Sequence, residues 1–191
     1  MEIKQCIGPF KTSNWVIKDK LIVGGYPYNL IKGKSYISRL RRVGVNVYVN
    51  LLSGEELNEL ESYRSDLKEE EKYYNLSIVN KKIASDEDTI SLVDKIITIL
   101  SKKSNCVYIH CLGGHGRTGV LVSLILSHLF QLDYKKSLSL CQKLHNVRYP
   151  DIDLKKILTQ EINKHNAKYF SPQTSCQLAQ VERLSYSNSR V

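Results

Sequence analysis

The chain has 191 residues, 42% of them hydrophobic and 25% charged, a balance that excludes disordered and fibrous classes and allows one compact domain with a core rather than two. Its 28 Lys and Arg against 19 Asp and Glu give a net charge of +9, which fits an anionic partner but serves solubility equally well, so charge alone assigns nothing. The longest apolar run, residues 120–130, is interrupted by Ser123, Ser127 and His128 and falls short of the roughly twenty residues a bilayer crossing needs, and MEIKQCIGPF does not read as a secretory signal; a cytoplasmic protein without membrane insertion is expected.

Residues 1–14 read as an N-terminal extension. Short strands around Trp15 and Leu21, joined by Lys18-Asp19-Lys20, form an edge hairpin that Gly24-Gly25-Tyr26-Pro27 breaks. Ile37 and Leu40, three apart among Arg39, Arg41 and Arg42, mark a short amphipathic helix stopped by Gly44, and residues 45–52 follow as a buried strand. Residues 55–72, with Leu57, Leu60, Tyr63 and Leu67 at spacings of three and four, predict a surface helix, whole or broken. A strand at 76–79 leads into a polar segment, 80–85, and Ser85 or Asp86 is placed to cap a helix whose buried stripe is Val93, Ile96, Ile97 and Leu100.

Residues 106–110 are a strand by their β-branched and aromatic content, and the run after the glycine loop, 120–130, is a nearly all-apolar helix. Two further helices, about 135–145 and 152–165, flank NVRYPD, and residues 171–191 are polar and aperiodic, a flexible tail. The alternation predicts an α/β fold with a mostly parallel central sheet, helices on both faces and an antiparallel edge hairpin. Ligands in such sheets bind beyond the carboxyl ends of the strands, where Asn80 and Cys111 both fall.

Residues 110–119, HCLGGHGRTG, carry the chemistry. Five residues separate Cys111 from Arg117 and three of them are glycine, so the backbone N–H groups of Leu112, Gly113, Gly114, His115 and Gly116 can curl around a tetrahedral oxyanion. The dipole of the following helix adds to that nest, and the planar fork of Arg117 can grip two phosphate oxygens. The same positive field favours the thiolate of Cys111. His110 is placed to hold the loop through a ring hydrogen bond, and the Thr118 hydroxyl to reach back to the sulfur. The alternative for Cys111, a small buried hydrophobe at a strand end, makes the glycines, Arg117 and Thr118 coincidental. A Walker-type loop is excluded because Arg117 stands where a lysine is required. The other cysteines, Cys6, Cys106, Cys141 and Cys176, show neither a CxxC pair nor ligand-like spacing, and Cys106, Cys141, His128 and His145 are assigned to packing or surface.

His110-Cys111, five residues and Arg117-Thr118-Gly119 resemble the signature of the cysteine-dependent protein tyrosine phosphatases, especially the compact dual-specificity branch. The resemblance extends more loosely over residues 15–165, with GGYP at 24–27, VYVNLL at 47–52 and SDED at 85–88 as landmarks, and implies a catalytic domain over 15–170. It further implies a two-step hydrolysis of phosphoprotein substrates, with dual specificity for phosphotyrosine and phosphoserine/threonine, in which Cys111 takes the phosphoryl group while Arg117 and the loop amides hold its oxygens, with no metal or cofactor. Relatives carry an aspartic acid roughly thirty residues before the cysteine to protonate the leaving oxygen; here Asn80 stands 31 residues before Cys111, and an amide gives up no proton at neutral pH.

Asp86 remains as a replacement acid or a helix cap. Two alternatives therefore stay open beside a slowed protein phosphatase: removal of phosphate from an RNA 5′ end, whose leaving group needs no proton, and a phosphate reader without turnover. In the geometry of the resembled family His115 points to the pocket mouth, and Leu112 occupies a position that is basic in phosphoinositide-cleaving relatives. Arg148 is a loose match to a residue supporting the phosphate loop, and Gln160 to one orienting water. Oligomeric state is not assigned.

Overall fold

The computed structural model describes residues 1–29, 34–152, 163 and 165–187. β1 (Ser13–Ile17) turns through Asp19, in the left-handed conformation, into the antiparallel β2 (Leu21–Gly24). A two-residue ladder, β3 (Tyr28–Asn29) with β4 (Lys34–Ser35), precedes α1 (Ile37–Arg42), which Gly44 ends at φ +92°. Then follow β5 (Val47–Leu52), α2 (Gly54–Asn58), β6 (Lys72–Ile78), α3 (Asp86–Ser101), β7 (Val107–His110), α4 (Gly116–Phe130), α5 (Tyr134–Asn146) and α6 (Ser175–Leu184).

The main sheet has five strands in the order β1-β2-β7-β5-β6, antiparallel only between β1 and β2. β2, β5 and β7 are buried along their whole length, as continuous apolar runs in a covered parallel sheet must be. β7 lies centrally, so the loop that follows it emerges between the carboxyl ends of β2 and β5. α4 is buried from Gly116 to Ser127 and packs against α3, α5 and α6, which explains its apolar circumference. No helix among the described residues is long and apolar enough to cross a membrane.

Three expectations need correction. Residues 55–72 do not form one helix: α2 ends at Asn58, a 3-10 turn covers Arg64–Asp66, and β6 begins at Lys72. Glu55 and Glu59 repel at i,i+4 with no basic partner to offset them, while Tyr63 leaves the surface and is 1% exposed. The N-terminal extension is not separate: Ile3 and Ile7 bridge to Ile17 and Asn14, and the Trp15 N–H donates to the Cys6 carbonyl at 3.0 Å, so the first residues cover the β1 edge. The predicted tail contains α6, opened by a capping box in which Thr174 accepts from Gln177 N–H and the Gln177 side chain returns to the Thr174 N–H. Its buried stripe is Gln177, Gln180, Val181 and Leu184, a helical period half made of amides, which a search for apolar periodicity passes over. Most of the helix expected over 152–165, with Gln160, lies outside the described residues.

If α6 belongs to the cooperative domain, truncating its fully buried Val181 to alanine removes two carbons from the core. The expected loss is about 2 kcal/mol of unfolding free energy, at about 0.8 kcal/mol per buried carbon, read from the urea midpoint at unchanged slope. A midpoint equal to that of the parent chain would detach α6 from the fold.

Candidate active site

The glycine loop is shaped by what crosses behind it. Gly114 sits at φ +73°, and a Cβ there would overlap the carbonyl of Gly24, so both backbone conformation and close approach demand glycine. That approach accounts for GGYP after β2: the Tyr26 N–H donates to the Leu112 carbonyl at 2.9 Å and closes β2 against the loop. Behind the loop lies Arg148, 4% exposed, its Nε donating to Asn14 Oδ1 at 2.7 Å, Nη1 to the Gly114 carbonyl at 2.9 Å and Nη2 to the Val23 carbonyl at 3.3 Å. One side chain therefore fixes β1, β2 and the loop together, in the supporting position expected of it.

Cys111, 4% exposed, sits at the floor of the pocket, and its Sγ accepts from the Gly114 N–H at 3.2 Å. The Thr118 hydroxyl does not reach the sulfur as expected: its Oγ1 is buried without a hydrogen-bond partner, as is His145 Nδ1. Both residues line a cavity of about 10 Å³ behind the loop, close to the size one buried water takes.

His110 is enclosed completely, with Nε2 2.7 Å from the Tyr63 hydroxyl and Nδ1 3.3 Å from the Cys111 carbonyl. A carbonyl only accepts, so Nδ1–H donates to it and Nε2 accepts from the tyrosine. Burial, seconded by the charge of Arg117 and opposed by the hydrogen bond to Cys111, holds the ring neutral and its pKa down to about 3. His110 thus anchors the loop entrance without contributing charge.

Arg117 is 3% exposed and held from three elements. Nη1 donates to the carbonyls of Leu51 at 3.3 Å and Ile78 at 2.7 Å, at the carboxyl ends of β5 and β6, and both terminal nitrogens meet the Glu56 carboxylate at 2.5 and 2.9 Å. Nη2 also approaches Asn80 Oδ1 at 3.5 Å. Burial pulls the Arg117 pKa down, but Glu56 and the Cys111 sulfur outweigh it and the net shift is upward. Burial raises that of Glu56, which Arg117 and Ser53 outweigh, so the carboxylate stays ionised further into the acid range.

Asn80, Lys81, Leu112, Gln173 and Gln177 wall a pocket of about 200 Å³ over Cys111 and Arg117. Asn80 thus stands in the pocket wall, its amide facing Arg117. Asp86 does not: its carboxylate is gripped by Arg183 at 2.6 and 2.7 Å and by Gln180 at 2.9 Å, and the cap of α3 is Ser85. His115 lines the pocket, but its Nδ1 is 2.8 Å from His145 Nε2; burial and the charges of Arg148 and Lys168 hold its pKa down to about 3. A neutral ring paired to another ring adds no cation at the mouth, and His145, assigned to packing, is the partner.

The DSP-PTPase phosphatase domain of the Swiss Army Knife proteins, PTP-SAK, matches residues 10–168. The chain belongs to the compact dual-specificity branch of the protein tyrosine phosphatase superfamily. Two viral relatives are 27% identical to it. "Putative tyrosine phosphatase 197R" of Invertebrate iridescent virus 6 aligns over 122 residues, 62% of this chain and 43% of that protein, and "Putative tyrosine phosphatase 067L" of Invertebrate iridescent virus 3 over 147 residues, 71% and 54%. The chain thus spans about half the length of these relatives. Among solved structures, kinase associated phosphatase superposes with a TM-score of 0.65 over 96% of this chain and 97% of its own, at 13% identity, a likeness of fold.

In this phosphatase domain the sequence reading passed over Glu56, Tyr63, Gln173 and Gln177. Glu56 had a legible signal, since Ser53-Gly-Glu-Glu56 just past a buried strand is a capping box, and its carboxylate serves the cap and Arg117 together. Tyr63 read as one position of a surface helix.

The buried histidines make stability fall on the acid side. His110, His115 and His145 all have folded pKa values below the roughly 6.5 of the unfolded chain, so below pH 6.5 the unfolded state binds protons that the folded state refuses. Unfolding free energy should be level with respect to them above pH 7 and fall as pH drops from 6.5 toward 3, approaching about 1.4 kcal/mol per pH unit for each ring. Urea midpoints across pH 8 to 5 measure this, and a level midpoint would mean that the rings protonate inside the fold.

Proposed function

We propose that this domain hydrolyses phosphomonoesters of proteins through a phosphoryl-cysteine intermediate on Cys111. The observation that carries the reading is the convergence on one pocket of the Cys111 sulfur, the glycine nest and the Arg117 guanidinium, the last held in place by Glu56. In the first step the Cys111 thiolate attacks phosphorus, an S–P bond forms and the bond to the leaving oxygen breaks, while Arg117 and the loop N–H groups hold the equatorial oxygens. In the second, water attacks phosphorus, the S–P bond breaks, and inorganic phosphate and the thiolate are released.

The leaving oxygen is the weak point of the cycle. Asn80 cannot protonate it and Asp86 is committed to Arg183, so turnover depends on how well the leaving group departs alone. Phosphotyrosine, whose phenolate is stable, is favoured over phosphoserine and phosphothreonine. Leu112, exposed beside Cys111, offers an apolar surface to an aromatic ring, and neither Leu112 nor neutral His115 supplies the charge a phosphoinositide headgroup requires. Asn80 equally favours a second reading, an RNA 5′-triphosphatase, because a phosphoanhydride leaves without a proton.

Serine in place of Cys111 should reduce metal-free hydrolysis of an aryl phosphate to background while orthovanadate still binds. Phosphotyrosine peptide, phosphothreonine peptide and 5′-triphosphate RNA, assayed side by side, decide the substrate. Fastest release from RNA moves the assignment to the triphosphatase, and tight vanadate binding with no release from any of the three makes the domain a phosphate reader.

Asn80→Asp should raise kcat on phosphoserine by roughly a hundredfold and on an aryl phosphate by much less, because the added acid matters only where the leaving oxygen needs its proton. KM should rise on both, since the new carboxylate faces an incoming dianion. Equal gains on the two substrates would remove Asn80 from the acid position.

A further inference from the structure

The segment that carries Asn80 has its backbone held from outside itself. Lys81 adopts φ +64° in a turn closed by the Lys82 N–H on the Val79 carbonyl, and the carbonyls of Lys81, Lys82 and Ala84 are bonded by α6 and its cap. Thr174 Oγ1 donates to the Lys81 carbonyl at 3.3 Å, Gln177 Nε2 to the Lys82 carbonyl at 3.3 Å, and Gln180 Nε2 to the Ala84 carbonyl at 3.0 Å and to Asp86 Oδ1 at 2.9 Å. Arg183 closes the row on both oxygens of Asp86.

The same helix touches the phosphate loop. Gln177 is fully buried, its Oε1 accepts from the N–H groups of Gln173 and Thr174, and a Cβ on Gly116, the first residue of α4, would stand 2.7 Å from that oxygen. The first turn of α6 is therefore wedged between the Asn80 segment and the phosphate loop, with the Gln177 amide bonded to the Lys82 carbonyl and the helix start, and the Gln180 Nε2 shared among Ala84, Asp86 and Thr89. Apolar residues in place of Gln177 and Gln180 would leave the Lys82 and Ala84 carbonyls without these partners.

We propose that α6 is a clamp that fixes the Asn80 segment over Cys111 before substrate arrives, with Gln177, Gln180 and Arg183 as positioning residues. It rests on the reading of Cys111 and Arg117 as the phosphoryl site. A wall formed in advance spares the substrate the cost of closing it, because apparent affinity falls in proportion to the fraction of molecules in the competent arrangement. Loosening the distal end of the clamp, away from the pocket, should therefore weaken binding and leave the chemical step alone.

The test uses the full chain with Gln180→Ala and Arg183→Ala combined, and separately the charge exchange Asp86→Arg with Arg183→Asp. Amide exchange over residues 79–86 should accelerate about tenfold or more in the first variant while α4 and β5 keep their protection, KM for an aryl phosphate and Kd for orthovanadate should rise about three- to tenfold, and kcat should stay within about twofold. The charge exchange should retain much of the parental protection and KM. Unchanged exchange over 79–86, acceleration spread over the whole domain, or faster exchange with unaltered KM and vanadate affinity each overturn the clamp. A parent chain that neither binds vanadate nor turns over sinks the phosphatase reading instead, and the exchange data still decide whether α6 holds the segment.

Discussion

A guanidinium stays charged at any pH a protein survives, so burying one obliges the fold to surround it with acceptors. Arg117 meets that demand with carbonyls near the carboxyl ends of β5 and β6, the carboxylate of Glu56 and the amide of Asn80. These groups come from four places in the sequence and converge only because β5 lies between β7 and β6 with all three strands pointing the same way. The five-residue α2 reads best as a bracket for Glu56: too short to be stable alone, it is held by its capping box and by the ion pair. Removing one partner of such a pair leaves a buried charge uncompensated, at a cost of about 3–5 kcal/mol, so the fold and the phosphate site cannot be separated at this residue.

Pairing with Glu56 also changes where the positive potential comes from. Arg117 and Glu56 together are neutral, and the histidines beside the loop are held neutral by burial. Arg148, by contrast, is bound through an amide and two carbonyls, and no carboxylate among the described residues pairs with it. Its uncompensated charge lies directly behind Gly114, whose N–H faces the Cys111 sulfur. The pocket proposed to hold the anion therefore draws on a cation at its back, on Lys81 in its wall and on oriented N–H dipoles at its floor, while Arg117 contributes geometry as much as charge.

What the sequence disclosed, it disclosed through patterns that are local and chemically narrow. HCLGGHGRTG with its flanking strand and apolar helix carried the loop, and the alternation of apolar runs carried the mixed sheet, because both depend on residues near one another in the chain. Partners distant in sequence were harder to see. The Glu56 signal was present as a capping box, but its bond to Arg117 spans 61 positions. Tyr63 kept helical spacing while serving His110 across the core. α6 was hidden for a different reason: its inward face carries Gln177 and Gln180 because it must satisfy backbone carbonyls, and hydrophobic periodicity is blind to a face that buries hydrogen bonds. His115 and Asp86 went astray in the opposite sense, since a charged or titratable residue near a site reads as functional until its partner is visible, here His145 and Arg183.

The amide at position 80 fits this electrostatic arrangement. Nη2 of Arg117 already has Glu56 at 2.9 Å, and a second carboxylate at the Asn80 position would give the guanidinium two anions and make the pocket less hospitable to a phosphate dianion. An amide keeps an acceptor toward Arg117 without that repulsion and does so at every pH. Gln173 and Gln177 extend the same chemistry along the wall, so apart from Lys81 that side of the pocket is built from neutral carboxamides whose polar atoms are largely engaged by backbone. Such a wall holds the Asn80 segment in place and leaves the proposed anion to the loop, the arginines and Lys81. In the phosphoryl-cysteine reaction proposed for the domain, it forgoes the proton that a carboxylic acid would deliver, and this trade would leave the nature of the leaving group, rather than the grip on phosphate, as the variable that sets the rate.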